Sequence, residues 1–267
     1  RDASAVGSKR GEAIGDIVTV LAAEMVGCLV AFYDHDVPEA RRLADRLETL
    51  ADLPEAGEAA IYQPWFAASL IHLELHDHDR CVRLNATGRA RALATGHLWM
   101  VPAYDALDAY SAWERGEFDD AIANATAALA WNLNDTFGAS IWCHAFLGRV
   151  AAARGDTTAA VRHAAAARGD VLSGQAQFGW DHLALLDAEL AVHAGDRKRA
   201  FDMLRENWEV YVALGIPSPR QRISVALVPL IGEFGDTGLA AAVADDLAAA
   251  ARRTGLAGYR IDLEFSR

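Results

Sequence analysis

The chain is poor in cysteine, with 3 in 267 residues, and Cys28, Cys81 and Cys143 are far apart and odd in number. They make neither a disulfide framework nor a zinc-finger pattern, and a reducing cytoplasm is the expected compartment. Proline is scarce at 7, and glycine is ordinary at 21, which excludes collagen-like and low-complexity classes. Basic charge is in the minority, with 25 Lys and Arg against 37 Asp and Glu, a formal net charge of −12. Phosphate contacts need clustered Lys and Arg, so neither nucleic acid nor an anionic membrane surface is an expected partner. No apolar run reaches the roughly 18 residues of a membrane helix, and the best stretch, Ile17 to Phe32, is broken by Thr19 and Glu24. No G-x-x-x-x-G-K-[ST] phosphate loop and no G-x-S-x-G elbow is present. No cofactor is implied, and the chain is expected neither to hydrolyse nucleotides nor to bind duplex DNA.

Alanine is abundant, at 56 of 267 residues. Alanine loses no side-chain entropy in a helix, so its abundance beside little proline favours packed helices over sheet. A period of about forty residues organises them. Turn positions fall at 35, 76, 116, 155, 195 and 235, occupied by His35, His76, Gly116, Gly155, Gly195 and Gly235. The next residue is acidic each time: Asp36, Asp77, Glu117, Asp156, Asp196 and Asp236. Given the acidic content, six of six has a chance on the order of 10⁻⁵ before choice of register, so the period is a repeat and not an accident.

Each column has a physical reason. Glycine ends a helix without a Cβ clash, and the acidic residue caps the helix that follows. Five residues after the turn stands a small residue: Ala40, Cys81, Ala121, Ala160, Ala200 or Ala240. Seven before it stand Cys28, Ser69, Ala109, Gly148, Ala188 and Val228, read as the opposite half of a close helix contact. A second punctuation follows at Gly96, Asn134, Gly174, Gly215 and Gly255, while Pro54 and Gly57 break the first unit. Pro64, Pro102, Pro217 and Pro219 fall near linkers, and Pro229 predicts a kink or a late helix start. The expectation is twelve or thirteen helices in one helical-repeat domain over 1–267, with a helix and no strand over Gly155 to Ala167. The next first helix should run past Arg267, so Gly258 to Phe265 is read as a cap or a cut, and the chain as a piece of a longer protein.

Leu147-Gly148 followed by Gly155-Asp156 and Ala160 resembles a tetratricopeptide repeat, whose usual period is 34. The forty-residue period, the Ala and Arg richness and Leu214-Gly215 resemble more closely the helical-repeat region of large ATP-dependent bacterial regulators of the LuxR type, the MalT-like group. The likeness runs from about Val20 to Gly255. It implies an all-α, tetratricopeptide-like superhelix of about six repeats. It also implies a role as the sensor region of a multidomain transcription regulator, with an ATPase module before it and a DNA-binding module after it. Partners would be a small-molecule inducer or a protein or peptide. By the same likeness the first helix of each unit lines a concave face. Side chains three, six, ten and thirteen residues before the turn then point inward. These are Met25, Phe32, Phe66, Tyr110, Trp113, Trp142, Arg149, His182, Leu185, Glu189 and Arg222. The binding surface is expected at Phe66, Tyr110, Trp113, Trp142, Arg149, His182, Glu189 and Arg222. Packing between repeats is the competing reading of the rings.

Two polar groupings invite chemistry. His72 and His76 have the i, i+4 spacing of zinc ligands, near Asp77, His78, Asp79 and Cys81. Because His76-Asp77 stands where Gly-Asp stands later, the repeat column explains the cluster and no metal is assigned. Asp105 with Asp108, Asp119 with Asp120, and Asp245 with Asp246 are paired carboxylates, read as solvated surface. A non-enzymatic sensor or interaction region is therefore the leading reading. The rivals are a scaffold tied to a cyclase or kinase and an enzyme on an all-α toroid.

Overall fold

The computed structural model describes residues 2–34, 36–53, 56–57, 63–131, 139–172, 179–215 and 217–254. Among them are thirteen α-helices and no strand. The chain divides into two compact units, Arg1–Asn134 and Asp135–Arg267. The first holds α1 (Asp2–Ile14), α2 (Ile17–Tyr33), α3 (Val37–Ala51), α4 (Pro64–Glu74), α5 (His78–Thr95), α6 (Val101–Glu114) and α7 (Phe118–Ala130). The second holds α8 (Ala139–Ala153), α9 (Thr157–Leu172), α10 (Trp180–His193), α11 (Arg197–Leu214), α12 (Pro217–Phe234) and α13 (Thr237–Thr254). Within each unit, helices pack on their sequence neighbours, and the even-numbered helices from α2 to α6 and from α8 to α12 also meet one another. This is the helical-repeat, all-α architecture that the forty-residue period predicts.

The turn column behaves as its chemistry dictates. Gly116, Gly155, Gly195 and Gly235 have φ between 70 and 80°, left-handed backbone that glycine enters without a Cβ clash. After the first three, and after His76, the acidic residue's own N–H reaches a carbonyl five residues back at 2.8–2.9 Å, which closes the helix end. The carboxylates of Asp36, Asp77, Asp156, Asp196 and Asp236 accept the backbone N–H three residues on, at 2.9–3.4 Å. Glu117 makes no such cap. Its longer side chain pairs instead with Arg115 at 2.6 Å, and Asp119 and Asp120 supply the negative charge to the first turn of α7. His35 lies outside the described residues.

The two small-residue columns meet. The Cys28 thiol lies 3.3 Å from the Ala40 carbonyl oxygen, and the Ser69 hydroxyl oxygen lies 3.0 Å from the Cys81 carbonyl oxygen. Burial pushes the Cys28 and Cys81 thiols up to about 12, so both are packing groups and not nucleophiles. Gly96 and Gly215 end α5 and α11 in the left-handed conformation, while Asn134, Gly174, Gly255, Pro54 and the segment Gly258 to Phe265 lie outside the described residues. Of the kink or late start expected at Pro229, the late start does not occur, because α12 runs through it. Proline removes the bond to the Val225 carbonyl, and Val225 is exposed, so water can take that bond.

One helix has no counterpart in the sequence reading. α1 lies on α2 through small residues: Gly7 faces Ala23, and the Ser4 hydroxyl donates to the Ala23 carbonyl at 2.6 Å. Asp16 caps α2 by accepting from Val18 and Thr19 at 3.1 and 3.3 Å. No described helix is long and apolar enough to cross a membrane.

Candidate functional site

The first helices α4, α6, α8 and α10 are largely apolar and have little free face. In α6 every residue from Ala103 to Ala112 is buried except Asp108. A helix apolar all round lies within the core. The expected concave rings follow it inward: Phe66 is 8% exposed, Tyr110 2%, Trp142 6% and His182 1%. They are enclosed by neighbouring helices and not open to solvent. Phe66 meets Tyr104 edge-on at 5.9 Å, His182 meets Phe146 edge-on at 5.1 Å, and Trp142 packs on the backbone of Gly179. Trp113 is half-buried, edge-on to Phe118 at 5.4 Å.

The charged members join helices one repeat apart. Arg149 donates to Glu189 at 2.7 Å, from α8 to α10. Arg222 donates to Asp181 at 2.6 Å, from α12 to α10. Burial alone would raise the Asp181 carboxyl, but Arg222 and His182 hold it below the usual carboxylate value. Glu189 also stands beside an open groove in the second unit, about 220 Å³ in volume. Leu185, Ala188, Val192, Ala226, Pro229 and Leu230 form its apolar wall, with Glu189, His193 and Arg197 at its edge. A larger cleft of 610 Å³ in the first unit is strongly charged, with Lys9, Glu12, Glu39, Arg42 and Arg46 among its lining.

The paired carboxylates differ from the solvated reading in one case. Asp119 and Asp120 are exposed, Asp245 is exposed and Asp246 binds Arg220 at 2.6 Å. Asp105, however, is buried and bound by Arg89 at 2.9 Å. Asp108 accepts from the Asn85 amide at 2.7 Å, and Asn85 accepts from Ser69 at 2.5 Å. This polar chain crosses α4, α5 and α6. Burial raises the Asp108 carboxyl to about 6. The folded state therefore holds its proton more tightly than the unfolded chain. The penalty for ionising it is absent below about pH 4, grows to about pH 6 and is fully present above. Asp108→Asn, whose carbonyl still accepts from Asn85, is expected to stabilise the chain by about 1–2 kcal/mol at pH 7 and by nothing at pH 4. Urea melts at the two pH values measure this, and a loss of stability at pH 7 would refute it.

The histidine cluster is rearranged. His72 is buried, between Asp45 at 3.8 Å and Asp77 at 3.6 Å, and burial lowers its pKa. Cys81 fills the small-residue column, and Asp79 is exposed. His76 holds φ at 58°, where four later repeats use glycine. A non-glycine residue there costs roughly 1–2 kcal/mol. His76 Nδ1 lies 3.2 Å from Glu114 Oε2, at the end of α6. The His78 ring is 6.0 Å from that of His76, and its Nδ1 is 3.3 Å from the buried Ser111 hydroxyl. His76, His78 and Glu114 each offer one ligand atom, and these lie within 4.8 Å of one another. Sequence reasoning missed Glu114 because it belongs to the next repeat. Its position two residues before the Gly116 turn was the available signal. No protein-family model matches the chain, and no curated protein is significantly similar to it.

Proposed function

We propose that this chain is a non-enzymatic binding module of a multidomain regulator, and that it takes an apolar side chain of a partner protein in the second-unit groove. The observation that supports this is the groove's size and character. Sites for small organic molecules run to about 300–1,000 Å³, and this one has 220 Å³ with an apolar wall and a charged rim. It suits one anchoring residue of an amphipathic segment, with His193 and the ion-paired Glu189 and Arg197 lining the groove beside it. The ionisable groups of the first helices support binding over catalysis, since Arg149 with Glu189 and Asp181 with Arg222 serve to join repeats. The parent protein is proposed to be a LuxR-type regulator on the likeness of its forty-residue helix pairs, and the reading frame on either side of this chain tests that directly.

The groove is tested by selecting binders from a random peptide library displayed on phage. Enriched peptides are expected to share a single large apolar residue beside charge, and to lose binding at least about ten-fold to Ala226→Trp, which fills the groove. An unchanged melting temperature confirms that the variant is folded. Enriched peptides that bind Ala226→Trp as tightly as the wild type, or a failure to enrich any, would overturn the proposal.

A further inference from the structure

We infer that His76, His78 and Glu114 form a binding site for a divalent first-row transition metal, with Zn²⁺ as its natural probe. Two imidazoles and a carboxylate are the borderline donors that suit zinc, and three protein ligands leave a fourth position for water. Their ligand atoms already converge, all within 4.8 Å of one another. Bonds of about 2.0–2.1 Å in a tetrahedron put neighbouring ligand atoms roughly 3.3 Å apart, and His76 Nδ1 to Glu114 Oε2 is 3.2 Å.

Three further observations point the same way. The first is the left-handed backbone at His76, at φ 58°, in a column where Gly116, Gly155, Gly195 and Gly235 carry the same turn without strain. Strain of this kind clusters at functional sites, and here it presents the imidazole to Glu114. The second is Ser111, fully buried and 3.3 Å from His78 Nδ1, which restrains that ring from beyond the ligand set. The third is anchorage. Asp77, between the two histidines, donates its N–H to the His72 carbonyl at 2.8 Å and caps Arg80 with its carboxylate. His76 and Glu114 are partly open to solvent, so an ion has an approach. Bound there, the metal clamps the α4–α5 turn to the end of α6, joining two repeats of the first unit. The site belongs to the first unit, and its assignment does not depend on that of the second-unit groove.

The experiment is calorimetric titration of the intact chain with Zn²⁺, paired with melting curves. One equivalent is expected to bind the wild type saturably and to raise its melting temperature. His76→Gly is the decisive variant, because it relieves the turn while deleting a ligand. It is expected to keep or raise the metal-free melting temperature and to abolish the zinc effect. Glu114→Gln should also lose tight binding, and Ser111→Ala should weaken it about ten-fold. Absence of saturable binding by the wild type overturns the site, leaving a His76–Glu114 contact. Unchanged binding in both His76→Gly and Glu114→Gln does so too, and directs attention to His144 and His163, whose Nδ1 atoms are 3.1 Å apart.

Discussion

Trp142→Ala is expected to destabilise the second unit by about 3–5 kcal/mol, as deletion of a buried ring does. The indole is 6% exposed and rests on the backbone of Gly179, where even an added Cβ would come within 2.6 Å of Cδ1. Nothing so closely fitted collapses to fill the vacancy left by an indole. Trp113→Ala removes a half-buried ring that meets Phe118 edge-on, and should cost less, about 1–2 kcal/mol. Denaturant melts of the two variants decide the matter. A loss below about 1 kcal/mol for Trp142→Ala would return that ring to a lining role.

Arg222→Gln is expected to cost about 3–5 kcal/mol at neutral pH, because it strands a buried carboxylate. Asp181 is 3% exposed and is bound by Arg222 at 2.6 Å. Its folded pKa lies below the ordinary value of 3.8, with Arg222 the strongest influence against burial. A lowered acid contributes stability above its unfolded pKa and loses it as pH falls through the folded one. The gap between wild type and variant should therefore be widest near pH 7 and close as the medium is acidified below pH 4. Asp181→Asn combined with Arg222→Gln should recover most of the loss, since no charge is then left buried. A gap that stays constant across pH would mean that packing, not charge, is responsible.

The repeat was legible because its punctuation is local. A glycine and an aspartate side by side end one helix and cap the next with no help from elsewhere. The five capping aspartates, and the Cys28–Ala40 and Ser69–Cys81 contacts, sit where the columns predicted. α1 was hidden because its contact face is made of Ser4, Gly7, Ser8 and Gly11, small residues that carry no hydrophobic period. The site was less legible for a different reason. Helical periodicity says which side chains share a face, but not which neighbour covers it. α4, α6, α8 and α10 are largely apolar with only scattered polar residues, so their sequences contain no broad polar stripe to orient them. Asp105 and Asp108 resemble surface residues because a carboxylate usually is one. Their partners Arg89 and Asn85 lie on another helix and enter only with the fold. Glu114 joins the two histidines in the same way, from 38 and 36 residues away.

The ion pairs that join alternate helices also give the repeats an order. Arg149 stands six residues before its turn and meets Glu189, which stands six before the next. The same place one repeat later is Pro229, which has no charge to offer. Likewise Asp181, which receives Arg222, has Ile141 as its counterpart one repeat earlier. With the repeat of α10 and α11 deleted and its neighbours fused in register, Arg149 would face Pro229 and Arg222 would face Ile141. Both of these cross-repeat pairs would be lost in one cut. Although the helices share one template, they are addressed to particular neighbours, and the array cannot be shortened or shuffled as a string of equal beads could.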